Sequence, residues 1–433
     1  MNSIFHSIDG SVVAPQGFKA SGVFCDIKSL GTGKGSDKGK KRDLAIIASE
    51  TPATVAGMFT TNQVCAAPVK VSVPRATSGK AGAIVVNSGN ANACTGDQGM
   101  KDALSMGAQT AALLGLDEDE VLICSTGRIG LNLPMDNVQM GIAAAAARLS
   151  SDERSAHHAA EAIMTSDKVS KEVAVEFKLG QKVIRIGGMC KGAGMIEPGM
   201  SPTGQRPAST ALHATMLCFI TTDAAISRSL LQKALKQAVA LSFNRITVDG
   251  DMSTNDSVIV LANGQSGAAS IKLASSKEFL KFQEALNHVC LDLARKIVVD
   301  GEGVTRRVTI NMKGAVSHKE ADVAARFVAN GELVKTSWYG GDPNWGRIMG
   351  ALGHSPSRIV EEKVDIGYFL PGSKKIFYAL KQGRPTRTAF ETLKKVTSAE
   401  EFEILINLNL GKGEAIIYTC DLSEEYVDFN KGE

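Results

Sequence analysis

The feature that most constrains this chain is an alternation of short, wholly apolar runs with longer segments of helical period, with glycine at the joints. Ala83–Val86, Val121–Cys124 and Met216–Ile220 are four or five apolar residues bounded by polar or Gly-rich turns, the pattern of strands buried on both faces. Leu230, Leu231, Ala234, Leu235, Ala238 and Val239 form a stripe at helical spacing, and Phe279, Phe282, Leu286, Val289 and Leu293 form another. Strands that are apolar on both sides need helices to cover them. The expected class is therefore α/β, a layered sandwich of β-sheets flanked by helices. At 433 residues the chain exceeds what one core usually supports, so two domains or one large layered body are expected.

Several function classes drop out. No apolar run approaches the roughly 20 residues needed to span a bilayer. The first residues, MNSIFHSIDGSVVAPQGFKASG, resemble neither a secretory leader nor a transit peptide, so the expected location is cytoplasmic. A net charge of +3 from 48 basic and 45 acidic interspersed residues gives no nucleic-acid footprint. The one dense basic stretch, Gly39–Arg42 (GKKR), reads as a solvated loop tip. Eight cysteines stand singly, with no CxxC pair and no histidine at ligand spacing, so reduced thiols are expected and no metal site.

One segment stands apart. Gly199–His213, GMSPTGQRPASTALH, is rich in Pro, Gly, Ser and Thr and reads as an exposed, mobile loop. Ala214 and Thr215 follow it and open the apolar run TMLCFITTDA, which puts a hydroxyl residue where a loop meets the core. Composition alone makes that threonine no more than a strand start.

The surrounding strings carry more. KGAGMIEP (Lys191–Pro198) followed by ATMLCFITTDA (Ala214–Ala224) resembles the self-cleavage region of the ornithine acetyltransferase (glutamate N-acetyltransferase) family. The likeness extends through APQGFKASGV from Ala14, VNSGNANACTGDQG from Val86, STGRIG from Ser125 and IMTSD from Ile163. It continues with FNRITVDGDMSTND from Phe243, DGEG from Asp300, GDPNWGRI from Gly341 and TCDLSEEYVDFN from Thr419. The resemblance implies an N-terminal-nucleophile-like fold with a smaller C-terminal lobe, and self-cleavage between Ala214 and Thr215 into an α chain, 1–214, and a β chain, 215–433. It also implies acetyl transfer from N-acetylornithine to glutamate in arginine biosynthesis, with α and β chains paired as a heterotetramer. No cofactor is implied; acetyl-CoA enters only as a second acetyl donor used by some members.

The chemistry follows from the residues beside the resemblance. A threonine hydroxyl is a poor nucleophile, but once the bond before Thr215 is cut its own α-amino group, with a reference pKa of roughly 7.7–8.0, can take the proton. No histidine is then needed, and none of the seven falls in a triad pattern; the neighbours His157 and His158 point to different faces of a helical stretch. The resemblance assigns the oxyanion donors to Thr126 and Gly127. It assigns the substrate's α-carboxylate to Lys191, its amino end to Glu302, and further polar contacts to Thr165 and Asn430.

Three departures accompany the likeness. Lys191 and Thr215 stand 24 positions apart, where the family's motif runs almost directly into the cleaved pair. The family usually continues past the residue matched by Asn430 to a further Thr or Ser contact, and this chain stops at Glu433. Arg128 replaces a small apolar residue and reads as solvent-facing. Two rival readings remain at this point, a self-processing aminopeptidase or amidohydrolase of related fold, and an unprocessed protein that binds acidic amino acids.

Overall fold

The computed structural model describes residues 5–28, 41–205 and 216–431 and divides into two compact units. Unit 1 holds the chain through Asn244 together with Asp251–Ile297; unit 2 holds Arg245–Gly250 and Val298–Lys431. The smaller C-terminal lobe is thus present. The proposed cleavage point falls inside unit 1 and not at the boundary between units.

Unit 1 is built on one nine-stranded sheet. Its strands are β1 (Phe5–Ser7), β2 (Phe18–Val23), β3 (Leu44–Phe59), β4 (Lys80–Asn90), β5 (Val121–Arg128), β6 (Lys171–Leu179), β7 (Lys182–Lys191), β8 (Leu217–Thr222) and β9 (Ser257–Ala262). They lie in the order β1-β6-β7-β8-β9-β3-β4-β5, with β2 paired to β3. The apolar runs become strands for the reason the pattern suggested. In β4 and β5, Ile84, Val86 and Leu122 pack into one core while Val85, Val121 and Ile123 pack into a second. Alternate side chains therefore leave opposite faces, and both faces are dry.

Helices α1 (Ala67–Ser78), α2 (Gly96–Leu114), α3 (Met135–Ala146), α4 (Glu153–Ile163), α5 (Arg228–Leu241) and α6 (Lys277–Val299) supply the cover. Helix α4 gives Ala156, Ala159, Ala160 and Ile163 to the first core, and α2 and α3 give Met106, Val138 and Ile142 to the second. Both expected helical stripes are buried, Leu231, Ala234, Leu235, Ala238 and Val239 in α5 and Phe282, Leu286, Val289 and Leu293 in α6. Among the described residues no helix is long and apolar enough to cross a membrane.

Unit 2 carries a six-stranded sheet of β10 (Arg307–Ala315), β11 (Asp365–Phe369), β12 (Phe377–Lys381), β13 (Arg384–Pro385), β14 (Glu401–Asn407) and β15 (Gly413–Cys420), ordered β13-β12-β11-β14-β10-β15. Here burial alternates strictly along β14, so one face is packed and the other is not. Its core joins Ile310, Ile404, Ile406 and Ile417 to Trp338 and Tyr368.

The first residues of the expected loop are not loose. Ser201 exchanges backbone hydrogen bonds of 2.9 and 2.8 Å with Phe59 at the end of β3, and the Gly199 carbonyl accepts from the Thr61 hydroxyl at 2.7 Å. Gly199 and Met200 are buried, because this stretch adds a bridge to the sheet's end before the chain turns outward. The rest of the loop, from Arg206, lies outside the described residues.

Helix α4 sits hard against β2. A Cβ on Gly22 would lie 1.9 Å from the His158 carbonyl oxygen. Gly22→Ala should therefore force the strand and helix apart at a cost of about 1–3 kcal/mol, read as a lowered midpoint in urea unfolding.

Candidate active site

Asp167 is the point on which the local structure converges. Its carboxylate is fully buried and accepts from Lys171 Nζ at 2.6 Å, the Gly192 amide at 2.7 Å and the Thr165 amide at 3.0 Å, with Lys191 Nζ at 3.9 Å. Burial alone would raise its pKa; Lys171 and Lys191, helped by the Gly192 amide, more than offset that and hold it well below the usual carboxylate range. The aspartate is ionised, and both buried lysines draw on it.

Lys191 ends β7 and is 2% exposed. Its ammonium donates to the Thr126 hydroxyl over 3.4 Å, which brings two of the expected site residues together. Thr126 and Gly127 sit near the end of β5, and the strand there is bulged rather than closed by the expected turn. Its register against β4 slips at Gly89 and Asn90. Gly127 has φ +130°, and a Cβ on it would meet the Gly89 carbonyl carbon at 2.3 Å, so only glycine fits. Arg128 is exposed, as read.

Thr215 and Ala214 lie outside the described residues, but the next residue is held on both sides. The Met216 amide donates to Asp256 Oδ1 at 2.5 Å, and its carbonyl accepts from the Ser257 amide at 3.1 Å. Antiparallel pairing sets Lys191 opposite Leu217, two residues past Thr215. Asp256 is buried, and its Oδ2 has no hydrogen-bond partner among the described residues. Burial drives its pKa well above the ordinary value, with the Met216 amide and Lys191 opposing. Its neighbour Asn255 donates to the Ser125 and Ala91 carbonyls at 2.8 and 2.7 Å, tying the ends of β5 and β4 to the start of β9.

The remaining predicted residues fall into place by unit. Thr165 lines a cavity of about 350 Å3 in unit 1 with Lys28, Arg42 and Asp167. Lys28 is buried there, donates to the Arg42 carbonyl and has its pKa lowered to about 8, burial outweighing the pull of Asp43 and Asp167. In unit 2, Asn430 at the end of α7 (Glu424–Phe429) donates to Glu302 Oε2 at 3.1 Å. Gly303, with φ +67°, lets that loop pass the Tyr426 amide, where a Cβ would stand 2.4 Å away.

Sequence reasoning missed Asp167, Lys171, Asn255 and Asp256. Asp167 stands two residues past Thr165 inside the quoted IMTSD, and Asn255–Asp256 close the quoted FNRITVDGDMSTND; no role was assigned to them. Short polar residues directly before the apolar strand SVIVLA were the available signal. Of GKKR, Gly39 and Lys40 lie outside the described residues, Lys41 is exposed as expected, and Arg42 departs from a loop tip by pairing with Glu161 at 2.7 Å and lining the Thr165 cavity. His157, more than half exposed and 2.8 Å from Glu172, lies on the rim of the same cavity.

A buried ammonium beside a strand-end hydroxyl, with a glycine that admits no side chain, is an arrangement able to receive an anionic group next to hydrogen-bond donors. The chain belongs to the ArgJ family, whose model matches residues 20–432. It is 42% identical over 423 residues to the arginine biosynthesis bifunctional protein ArgJ of Caldanaerobacter subterraneus, covering 98% of both chains. To the glutamate N-acetyltransferase of Methanocaldococcus jannaschii it is 44% identical over 428 residues, again 98% of both. A solved ornithine acetyltransferase complexed with ornithine, from Mycobacterium tuberculosis, is 37% identical, with a TM-score of 0.41, and covers 46% of this chain and all of that one.

Replacing Asp167 by Asn would leave Lys171 and Lys191 buried without their counter-charge. The expected loss is about 3–5 kcal/mol, measurable by chemical denaturation near neutral pH. Because the folded pKa is depressed, the carboxylate's contribution is complete above the ordinary carboxylate range and fades only as pH falls through the lower folded value. The variant's stability deficit should accordingly narrow in strong acid.

Proposed function

We propose that this enzyme transfers the acetyl group of N-acetylornithine to glutamate through an acetyl ester on Thr215, in arginine biosynthesis. The observation that carries the reading is the contact between Lys191 and Thr126 beside β8, which begins two residues past Thr215. The relatives' names supply the substrates.

The chain first cuts itself. The Thr215 hydroxyl attacks the Ala214 carbonyl, the amide becomes an ester, and water cleaves it to free the Thr215 amine. In the transfer, that amine takes the hydroxyl proton as Oγ attacks the acetamide carbonyl. The Thr126 hydroxyl and the Gly127 amide receive the oxyanion, each such donor typically contributing about 2.7–4 kcal/mol. As the C–N bond breaks, the ammonium returns the proton to ornithine's departing nitrogen. Glutamate's amine then attacks the ester and regenerates Thr215. Lys191 holds the α-carboxylate of either amino acid, Glu302 the side-chain ammonium of ornithine, and Thr165 and Asn430 the remaining polar groups. Acetyl-CoA serves as a second donor by the same ester, its thiol leaving in place of ornithine. The α and β chains act as a heterotetramer in the cytoplasm, with neither membrane nor nucleic acid as partner.

Denaturing electrophoresis should give two bands, from pieces of 214 and 219 residues, and Thr215→Ala a single full-length band. Two fragments cut at residue 214 in that variant would defeat the nucleophile assignment. Ornithine release from N-acetylornithine that does not need glutamate would instead mark a hydrolase. In the processed enzyme, Thr126→Val should lower kcat by about 10²–10³ with little change in KM, read from initial rates.

A further inference from the structure

Arg42 borders a second cavity as well. This one, of about 450 Å3, lies in unit 1 and is lined by Arg42, Arg148, Arg154, His158, Asp152 and Phe24, among others. The three arginines come from separate segments: the approach to β3, the link between α3 and α4, and the first turn of α4. His158 follows Arg154 by four residues and so shares its helix face. Among the described residues the guanidiniums of Arg148 and Arg154 have no ion-pair or hydrogen-bond partner, while Arg42 is held by Glu161.

The only carboxylate in the lining is already engaged. Asp152 caps α4, accepting from the Ser155 amide at 2.7 Å and from the Ser150 hydroxyl. The positive potential is therefore that of guanidinium groups and not of an open helix end. His158 senses it: burial lowers its pKa, Arg42, Arg154 and His157 lower it further, and Glu161 alone opposes them. Three guanidiniums against Asp152 and the Glu161 that holds Arg42 leave an excess of positive charge that a bound anion offsets, and guanidinium forks match the oxygens of a phosphate. Phe24, 41% exposed, adds an aromatic surface of the kind on which a nucleobase stacks. The volume falls within the roughly 300–1,000 Å3 of small-molecule sites.

We infer that this cavity binds the phosphate groups of a small molecule, with Arg148, Arg154 and His158 as its ligands. Two sources share that chemistry, free inorganic phosphate and the nucleotide end of a thioester acyl donor. The second rests on the acetyl transfer proposed above and is favoured by Arg42, which borders both this cavity and the one that Thr165 lines.

Calorimetric titration of the full-length processed protein with adenosine 3′,5′-bisphosphate, and separately with inorganic phosphate, tests the site against an Arg148→Gln/Arg154→Gln variant. Both side chains are exposed, so the variant should keep its melting temperature and its transfer from N-acetylornithine to glutamate. The bisphosphate should bind the native protein and lose about tenfold or more in affinity in the variant. Phosphate binding alone with the same arginine dependence assigns the site to the free anion. Equal affinity in both proteins, or no binding of either anion, overturns the inference. Since binding is read without the reaction, a protein that takes the bisphosphate but transfers no acetyl group refutes the transferase reading and leaves the pocket standing.

Discussion

The buried charge cluster around Asp167 is the interaction on which the rest of the site depends. One carboxylate with no access to water fixes the ends of three stretches of chain: the turn after α4 through the Thr165 amide, the first residue of β6 through Lys171, and the end of β7 through Gly192 and Lys191. Such a cluster is poor evidence of stability, because desolvating three charges consumes most of what their attraction returns. Its value lies in position. Lys191 can point a charge at Thr126 from within the core only because Asp167 sustains that charge there.

Much of the fold was legible in the sequence for a simple reason. Strands buried on both faces and helices with a dry stripe leave unambiguous periodicities, and the runs at Ala83, Val121 and Met216 and the stripes at Leu231 and Phe282 became the elements they suggested. What escaped notice has no period. Asp167 and Lys171 meet because a turn brings them together, and Asp256 reaches Met216 across neighbouring strands. The arginines at 42, 148 and 154 converge only in three dimensions. The bulge at Gly127 was read as a turn, since sequence shows a glycine but not the neighbouring backbone of Gly89 that forbids anything larger.

The likeness to the ArgJ family implies Thr215 as nucleophile, and the structure shows how the residue after it, Met216, is held. Met216 is held by the hydrogen bond its backbone N–H donates to Asp256 and by the one its carbonyl accepts from Ser257 at the start of β9. Asn255, next along, laces the ends of β4 and β5 to the same corner. A polar tetrapeptide, Ser253–Asp256, thus serves as the bracket on which the ends of β4 and β5 and the approach to β8 are all mounted. Rigid mounting of this kind keeps reacting groups in register at no cost during the reaction itself.

The strand order has a consequence for how such a molecule can come into being. A break at residue 214 assigns β8 and β9 to one piece, yet they lie between β7 and β3, which belong to the other. The strands of the second piece fill a gap in the first piece's sheet, and the core of unit 1 is complete in neither piece. Separately synthesised halves would each display raw sheet edges and should aggregate sooner than find one another. The scission proposed above would therefore have to come after folding, with the single polypeptide as the template for its own two-chain form.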